Sequence, residues 1–325
     1  MSMTASWDLV ADIGGTNARF GVIHGEEHRI IKEFYYSVGE YPNFSEVISL
    51  LLAEIRSSLG FKHSPKRVCF AVACPADSEH ISFTNSHWDF SKTELLCGLG
   101  CQSLAIINDF EAIAHGISDL MLSDYVKIGG GSHIAYSTTA ILGPGTGLGI
   151  SAIVPVKNGY HVIDGEGGHS DFAPVGDVQT SVLSYLSKKY ERVSLERLLS
   201  GDGMMNIYSA LCDSYNENPR FIGSAEVVQA GNEETCPISK LTLSLFCEIL
   251  GSTAGNLALT YGARGGVYIA GGIVPRFKKF FVGSGFRSAF ENKGRLASYL
   301  APIPVYLIIK PNIGLVGAAK KLKGD

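Results

Sequence analysis

The chain has 325 residues, 46% hydrophobic and 18% charged, and its 31 acidic against 27 basic residues leave a formal charge of −4. Such a composition supports a sizeable core in one or two domains, argues against disorder, and lacks the basic excess of a nucleic-acid partner. The N-terminus MSMTASWDLVADIGG has no basic stretch or signal-like apolar core, and no 18-residue apolar window is free of charge, so neither export nor a membrane partner is expected.

In chain order, residues 9–13 read as a short buried strand and 20–23 as the next, with DIGGTNAR (12–19) forming a glycine-bearing hairpin tip between them. Residues 30–37 supply another strand. From Ser45 the period changes: Val47, Leu50, Leu51 and Ile55 recur at helical spacing, with Ser45 as cap and Gly60 as stop. A strand over 67–73 ends at Cys74-Pro75; strand and loop follow over 81–88, and a short helix over 90–96 starts near Ser91. The apolar strand 104–107 ends at Asn108-Asp109, and a helix over 110–116 follows at once. Open α/β sheets place ligands where a buried strand ends in polar residues.

The second half repeats this grammar: a strand over 138–142, the turn GPGTGLG (143–149), and a strand over 150–155. Residues 160–169 lead into a loop. Helices are expected over 180–190, 195–199, 203–216, 224–230 and 238–261. Gly251, Ala254, Gly255 and Ala258 punctuate the last, weakening propensity but permitting close backbone approach. A strand over 267–269 runs into Gly271-Gly272, helix and loop occupy 277–290, and a strand over 305–309 precedes a terminal helix over 312–322.

Glycine accounts for 38 residues, clustered at strand ends, and exceeds the usual share of about 7%. Such turns let backbone N–H groups converge on phosphate oxygens, though tight turns alone also explain them. No GxxxxGK[ST] run exists, and GPGTGLG misses the dinucleotide GxGxxG spacing, so neither common nucleotide signature applies.

Four polar groupings stand out. Asp12, ahead of two glycines, Thr16 and Asn17, suits either water-mediated magnesium or an Asx-turn. Asp109 is placed to accept a proton from a sugar hydroxyl during phosphoryl transfer while Asn108 orients a neighbouring hydroxyl; both also suit a helix N-terminus. Glu166 and His169 flank two glycines and suit a polyhydroxylated ligand, or a metal given a further ligand. Glu196, before LLSG (198–201), also reads as a solvent-facing helix residue. The seven cysteines, an odd number in a chain that needs no staples, point to reduced thiols; Cys97 and Cys101 are spaced to share a helical face.

Seven motifs taken together resemble the bacterial-type glucokinases, within the sugar kinase, actin and 70-kDa heat-shock ATPase fold group. They are ADIGGTNARF (11–20), TNSHWDFS (84–91), INDFEA (107–112), LGPGTGLG (142–149), GEGGHSDFAP (165–174), ERLLSG (196–201) and AGGI (270–273). The resemblance implies an α/β, two-lobed ribonuclease H-like or actin-like ATPase fold with a duplicated core and an interlobe cleft. A small lobe would take 1–110, completed by a C-terminal helix at about 311–325, and a large lobe 111–310.

It further implies Asp109 as general base toward the 6-hydroxyl of glucose, with Asn85, Asn108, Glu166, His169 and Glu196 beside it as sugar ligands. ATP would meet a first phosphate turn at Asp12, Gly14, Gly15, Thr16 and Asn17, a second at Gly145, Thr146 and Gly147, and an adenosine-side contact at Gly271 and Gly272, with Mg2+ held through water by Asp12. A cytoplasmic homodimer is implied as well. A sister family carries a cysteine-rich zinc motif after its histidine; here Ser170 through Pro174 follow His169 and no cysteine occurs until Cys212, so no structural zinc is expected. An actin-like ATPase would leave the TNSHWDFS and GEGGHSDFAP motifs without a task, and a sugar-responsive regulator would need a DNA-reading module ahead of the first strand.

Overall fold

The computed structural model describes residues 6–24, 29–83 and 86–324, and contacts divide the chain into two units, 1–120 with 310–325, and 121–309. In the first unit β1 (Trp7–Ile13), β2 (Asn17–His24) and β3 (Ile30–Ser37) form an antiparallel meander; α1 (Phe44–Leu59) leads to β4 (Arg67–Val72). A small hairpin, β5 (His80–Ser82) with β6 (Asp89–Ser91), precedes α2 (Lys92–Leu99), β7 (Ser103–Asn108) and α3 (Asp109–Ile117). The sheet order is β3-β2-β1-β4-β7, with β1, β4 and β7 parallel.

The sequence of the central strands explains this sandwich. Successive side chains point to opposite faces, so Leu9, Ala11 and Ile13, with Val68, Phe70 and Val72, pack beneath α1, which contributes Phe44, Val47, Ile48, Leu51 and Ile55. The intervening Val10, Cys69 and Ala71 meet Leu315, Ala318 and Leu322 of the C-terminal helix, Ile313–Gly324. That helix lies against α3, and Gly317 makes the approach possible: a Cβ there would overlap the Ala112 carbonyl. This packing keeps α3 whole in the first unit, so the chain divides after Leu120 and not at residue 110, which would cut the helix.

The second unit begins with β8 (Tyr125–Gly129), followed by β9 (Thr139–Pro144), β10 (Leu148–Val156) and β11 (Gly159–Gly165). Then come α4 (Gly176–Leu186), α5 (Gly201–Ser214), α6 (Ser224–Asn232), α7 (Pro237–Tyr261), β12 (Gly266–Ile269), three short helices and β13 (Val305–Ile308). Its order is β11-β10-β9-β12-β13-β8: again a meander whose first strand is followed by two parallel neighbours, here with β8 added antiparallel on the far edge. Ile207 and Leu211 of α5, Val227 of α6, and Phe246, Leu250 and Ala254 of α7 build its core with Leu142, Leu148 and Ile269. By length and composition α7 is apolar enough to cross a bilayer, yet 67% of its most apolar window is buried inside the unit, as befits a core helix.

Several local expectations need correction. The cap of α1 is Asn43, whose side chain accepts from Glu46 N at 2.9 Å; Ser45 lies inside the helix and donates its hydroxyl to Asn43 Oδ1. Helix α2 ends at Leu99 under the left-handed Gly100, so Cys97 and Cys101 do not share a helical face. Helix α4 begins four residues before the expected start, where Gln179 Oε1 accepts from Val175 N at 2.9 Å, and the expected helix at 195–199 is one 3-10 turn, Leu195–Arg197. Strand β8 was not anticipated from the sequence.

Candidate active site

In the first unit the parallel register sets Ile13, Val72 and Asn108 in one row. Asp12 and Asn108 therefore stand at the same C-terminal sheet edge, roughly 10 Å apart for two strand spacings. The Asp12 turn is closed by Gly14 N donating to Asn17 O at 3.0 Å and anchored by Val38 N donating to Thr16 O at 2.9 Å, which leaves Thr16 and Asn17 exposed and Gly14 and Gly15 half-buried. The Asp12 side chain is 19% accessible; burial pushes its carboxyl up from the ordinary carboxylate range, and the Arg19 guanidinium, Nη1 to Oδ2 3.7 Å, partly offsets this. The C-terminal helix also reaches this carboxylate, since a Cβ on Gly314 would stand 2.9 Å from Asp12 Oδ2.

Asn108 caps α3: its Oδ1 accepts from Phe110 N at 2.8 Å, and Asp109 Oδ1 accepts from the same N–H at 3.0 Å. Asn108 Nδ2 donates to Cys74 O at 3.4 Å, which ties the cap to the loop after β4. The capping reading therefore holds for Asn108, and both Asn108 and Asp109 stay half-buried rather than sealed in the core. Asn85 lies outside the described residues.

In the second unit Gly145 N donates to Gly147 O at 2.8 Å, so the second glycine turn is tight and Thr146 sits exposed at its tip. The register Ile269–Leu142 carries β12 alongside β9, which brings Gly271 (φ +85°) against the Pro144 carbonyl; a side chain there would overlap it, while Gly272 faces open space. Glu166 caps the 3-10 turn Gly167–His169, and His169 Nε2 lies 3.8 Å from Glu166 Oε2, each side chain 56% accessible. Among the described residues no three His, Cys, Asp or Glu side chains gather as a metal site.

Glu196 is placed differently from a solvent-facing residue. Its Oε2 accepts from Leu148 N at 2.8 Å, directly after the second glycine turn, and Gly201 N donates to Gly145 O at 3.0 Å. Leu195 N donates to Ser170 O at 2.9 Å, so Glu196 is also fastened to the segment that follows His169. The second unit thus gathers Gly145, Thr146, Gly147, Gly271, Gly272, Glu166, His169 and Glu196 around the start of β10, and the first unit gathers Asp12 to Asn17 with Asn108 and Asp109. Gly314 and the Leu148 N–H escaped the sequence reading. The LLSG run offered the one clue to the second, since Ser200 accepts from Gly203 N and starts α5 beside the turn.

A ROK family glucokinase from Streptomyces griseus, solved in complex with glucose and AMPPNP, shares the fold at a TM-score of 0.66 and 17% identity over 98% of this chain and 100% of that one. A glucokinase crystal structure from an Antarctic psychrotroph superposes with a TM-score of 0.84 at 34% identity, covering 98% and 99% of the two chains. The family model for glucokinase matches residues 9–324. The glucokinase of Hahella chejuensis is 40% identical over 325 residues, 99% of this chain and 98% of its own, and that of Shigella sonnei 41% identical over 315 residues, 97% and 96%. The chain belongs to the glucokinase family, the ATP-dependent hexose kinases that phosphorylate glucose.

Proposed function

We propose that this chain transfers the terminal phosphoryl group of ATP to the 6-hydroxyl of glucose, with Asp109 as general base. The observation that carries the reading is Asp109 at the first position of α3, half-buried at the sheet edge that also holds the Asp12 turn. A helix N-terminus favours negative charge, and a carboxylate placed there can accept the proton as the O–P bond forms. Asn85 and Asn108, with Glu166, His169 and Glu196, are proposed to hold and orient the sugar hydroxyls. The glycine turns at Gly14-Gly15-Thr16-Asn17 and Gly145-Thr146-Gly147 are proposed to present N–H groups to the phosphates, with Gly271 and Gly272 toward the adenosine.

A magnesium ion fits Asp12: it prefers hard oxygen donors, keeps several waters, and is commonly held by one or two carboxylates plus substrate phosphates, and part of the Asp12 side chain is accessible. When bound, the ion supplies charge neutralisation at the phosphate oxygens. The proposal takes in the finer architecture, a duplicated actin-like core in two lobes with a sugar cleft, for which the matching strand orders of the two sheets give support. A cytoplasmic homodimer without structural zinc rests on family resemblance; light scattering that returned a monomer, or stoichiometric zinc in purified protein, would overturn those parts.

The central test is Asp109→Ala. Turnover is expected to fall by about 10²–10⁴-fold while glucose binding, measured by calorimetry, changes far less. Near-parental turnover removes Asp109 from the role. His169→Ala is expected to weaken glucose more than ATP, and equal glucose affinity in variant and parent would remove His169 from the sugar site.

A further inference from the structure

We infer that Glu196 is a positioning residue for the second glycine turn, so that one carboxylate braces the nucleotide side while it serves the sugar side. The inference rests on the proposed roles of Glu196 and of the Gly145–Gly147 turn, and it adds a function that a sugar ligand alone does not have. All the contacts lie within the second unit.

Leu148, the first residue of β10, is 4% exposed, and its N–H finds its acceptor in Glu196 Oε2 at 2.8 Å. Gly147 leaves the space that this carboxylate occupies, because a Cβ at that position would overlap Oε2. The main chain repeats the link three residues before: Gly201 N donates to Gly145 O at 3.0 Å. Ser200 stiffens the same segment, its hydroxyl donating to Glu196 O at 2.8 Å while its oxygen accepts from Gly203 N at 3.0 Å. The turn is therefore held from the start of α5, an element packed into the core through Met204 and Ile207.

The other side of Leu148 meets the sugar motif. Its carbonyl lies so close over Gly168 that a side chain there would overlap it, and Leu195 N reaches Ser170 O at 2.9 Å. Leu148 is thus held on both sides, its N–H by Glu196 and its carbonyl against Gly168, the glycine between Glu166 and His169 in sequence. A carboxylate has two oxygens and about four acceptor positions; with Oε2 on Leu148, Oε1 remains for a hydroxyl. Removing the side chain leaves a buried donor unsatisfied next to the turn, and the turn loses the geometry that aims its N–H groups.

Two measurements on the full chain test this. The first is calorimetric titration of MgADP in the absence of any sugar. Glu196→Ala is expected to weaken MgADP by roughly tenfold, whereas Glu196→Gln, whose amide oxygen still accepts from Leu148, stays within about threefold. The second is hydrogen exchange of the ligand-free protein, in which amides of 143–149 exchange faster in Glu196→Ala and keep their protection in Glu196→Gln. If the alanine variant fails to fold, Glu196→Asp, which withdraws the carboxylate by one methylene, takes its place with the same expected losses. Unchanged sugar-free MgADP affinity and unchanged exchange at 143–149 overturn the inference, even if glucose binding is lost and the sugar-ligand reading survives. Weakened MgADP with intact glucose affinity supports the brace and removes Glu196 from the sugar site instead.

Discussion

At the scale of single residues, the Asp12 carboxylate shows how little room its surroundings allow. It sits between the Arg19 guanidinium and the first turn of the C-terminal helix, where Gly314 has no side chain. Gly314→Ala would set a carbon 2.9 Å from Oδ2, and since the nearest atoms to it all belong to that carboxyl group, the carboxylate must move. The expected result is a rise of roughly ten- to a hundredfold in the Mg2+ concentration needed for half-maximal turnover, as small misplacements near a reacting centre typically cost, with the glucose KM unchanged. An unaltered Mg2+ titration would show that Asp12 tolerates the shift or plays no part. Glu248 on α7 makes a separate case. Burial raises its carboxyl above the ordinary range, so the folded state binds its proton more tightly than the unfolded state does. Stability from this group therefore falls as pH rises through the carboxylate range, and the cost of holding it ionised persists at neutral pH. Glu248→Gln is expected to raise the thermal midpoint at pH 7, with the advantage closing as the pH falls below that range; a pH-independent gain would point to packing instead.

At the scale of elements, caps and crossings set the local stability. Asn43→Ala removes the acceptor for Glu46 N at the start of α1 and is expected to cost about 1 kcal/mol in urea unfolding, while Ser45→Ala changes little because the Ser45 hydroxyl donates to Asn43 Oδ1 and caps no orphan amide. The sequence announced the helix through Val47, Leu51 and Ile55, and its end through Gly60; the cap was misread because both Asn43 and Ser45 are good capping types two residues apart. Strand β8 was illegible for a different reason. It joins the sheet only as an antiparallel edge on β13, more than 170 residues later in sequence, and YVKIG carries no alternation long enough to declare it. Three strand ends were legible because apolar runs give way to Asp12, Asn108 and Gly143, although β1 and β9 continue to Ile13 and Pro144. What could not be read from spacing was the bond from Leu148 to Glu196, which depends on where the loop before α5 returns. Small residues on α7 did announce a close approach: side chains at Gly251 and Gly255 would overlap the carbonyls of Phe286 and Phe290.

At the scale of the whole molecule, the first unit is discontinuous and the second is not. The helix Ile313–Gly324 supplies Leu315, Ala318 and Leu322 to a core otherwise made from the first 120 residues. Deleting residues 311–325 is accordingly expected to expose Val10, Cys69 and Ala71 and to make residues 1–120 protease-sensitive while 121–309 resists; equal resistance of both parts would contradict that division. The same arrangement fixes an order during synthesis. Since ribosomes add about 5–20 residues per second, the earliest 120 residues emerge long before the segment that seals one side of their sheet. The stretch 121–309 builds its core without any later segment, whereas residues 1–120 wait, half-covered, until Ile313–Gly324 has followed it out of the ribosome.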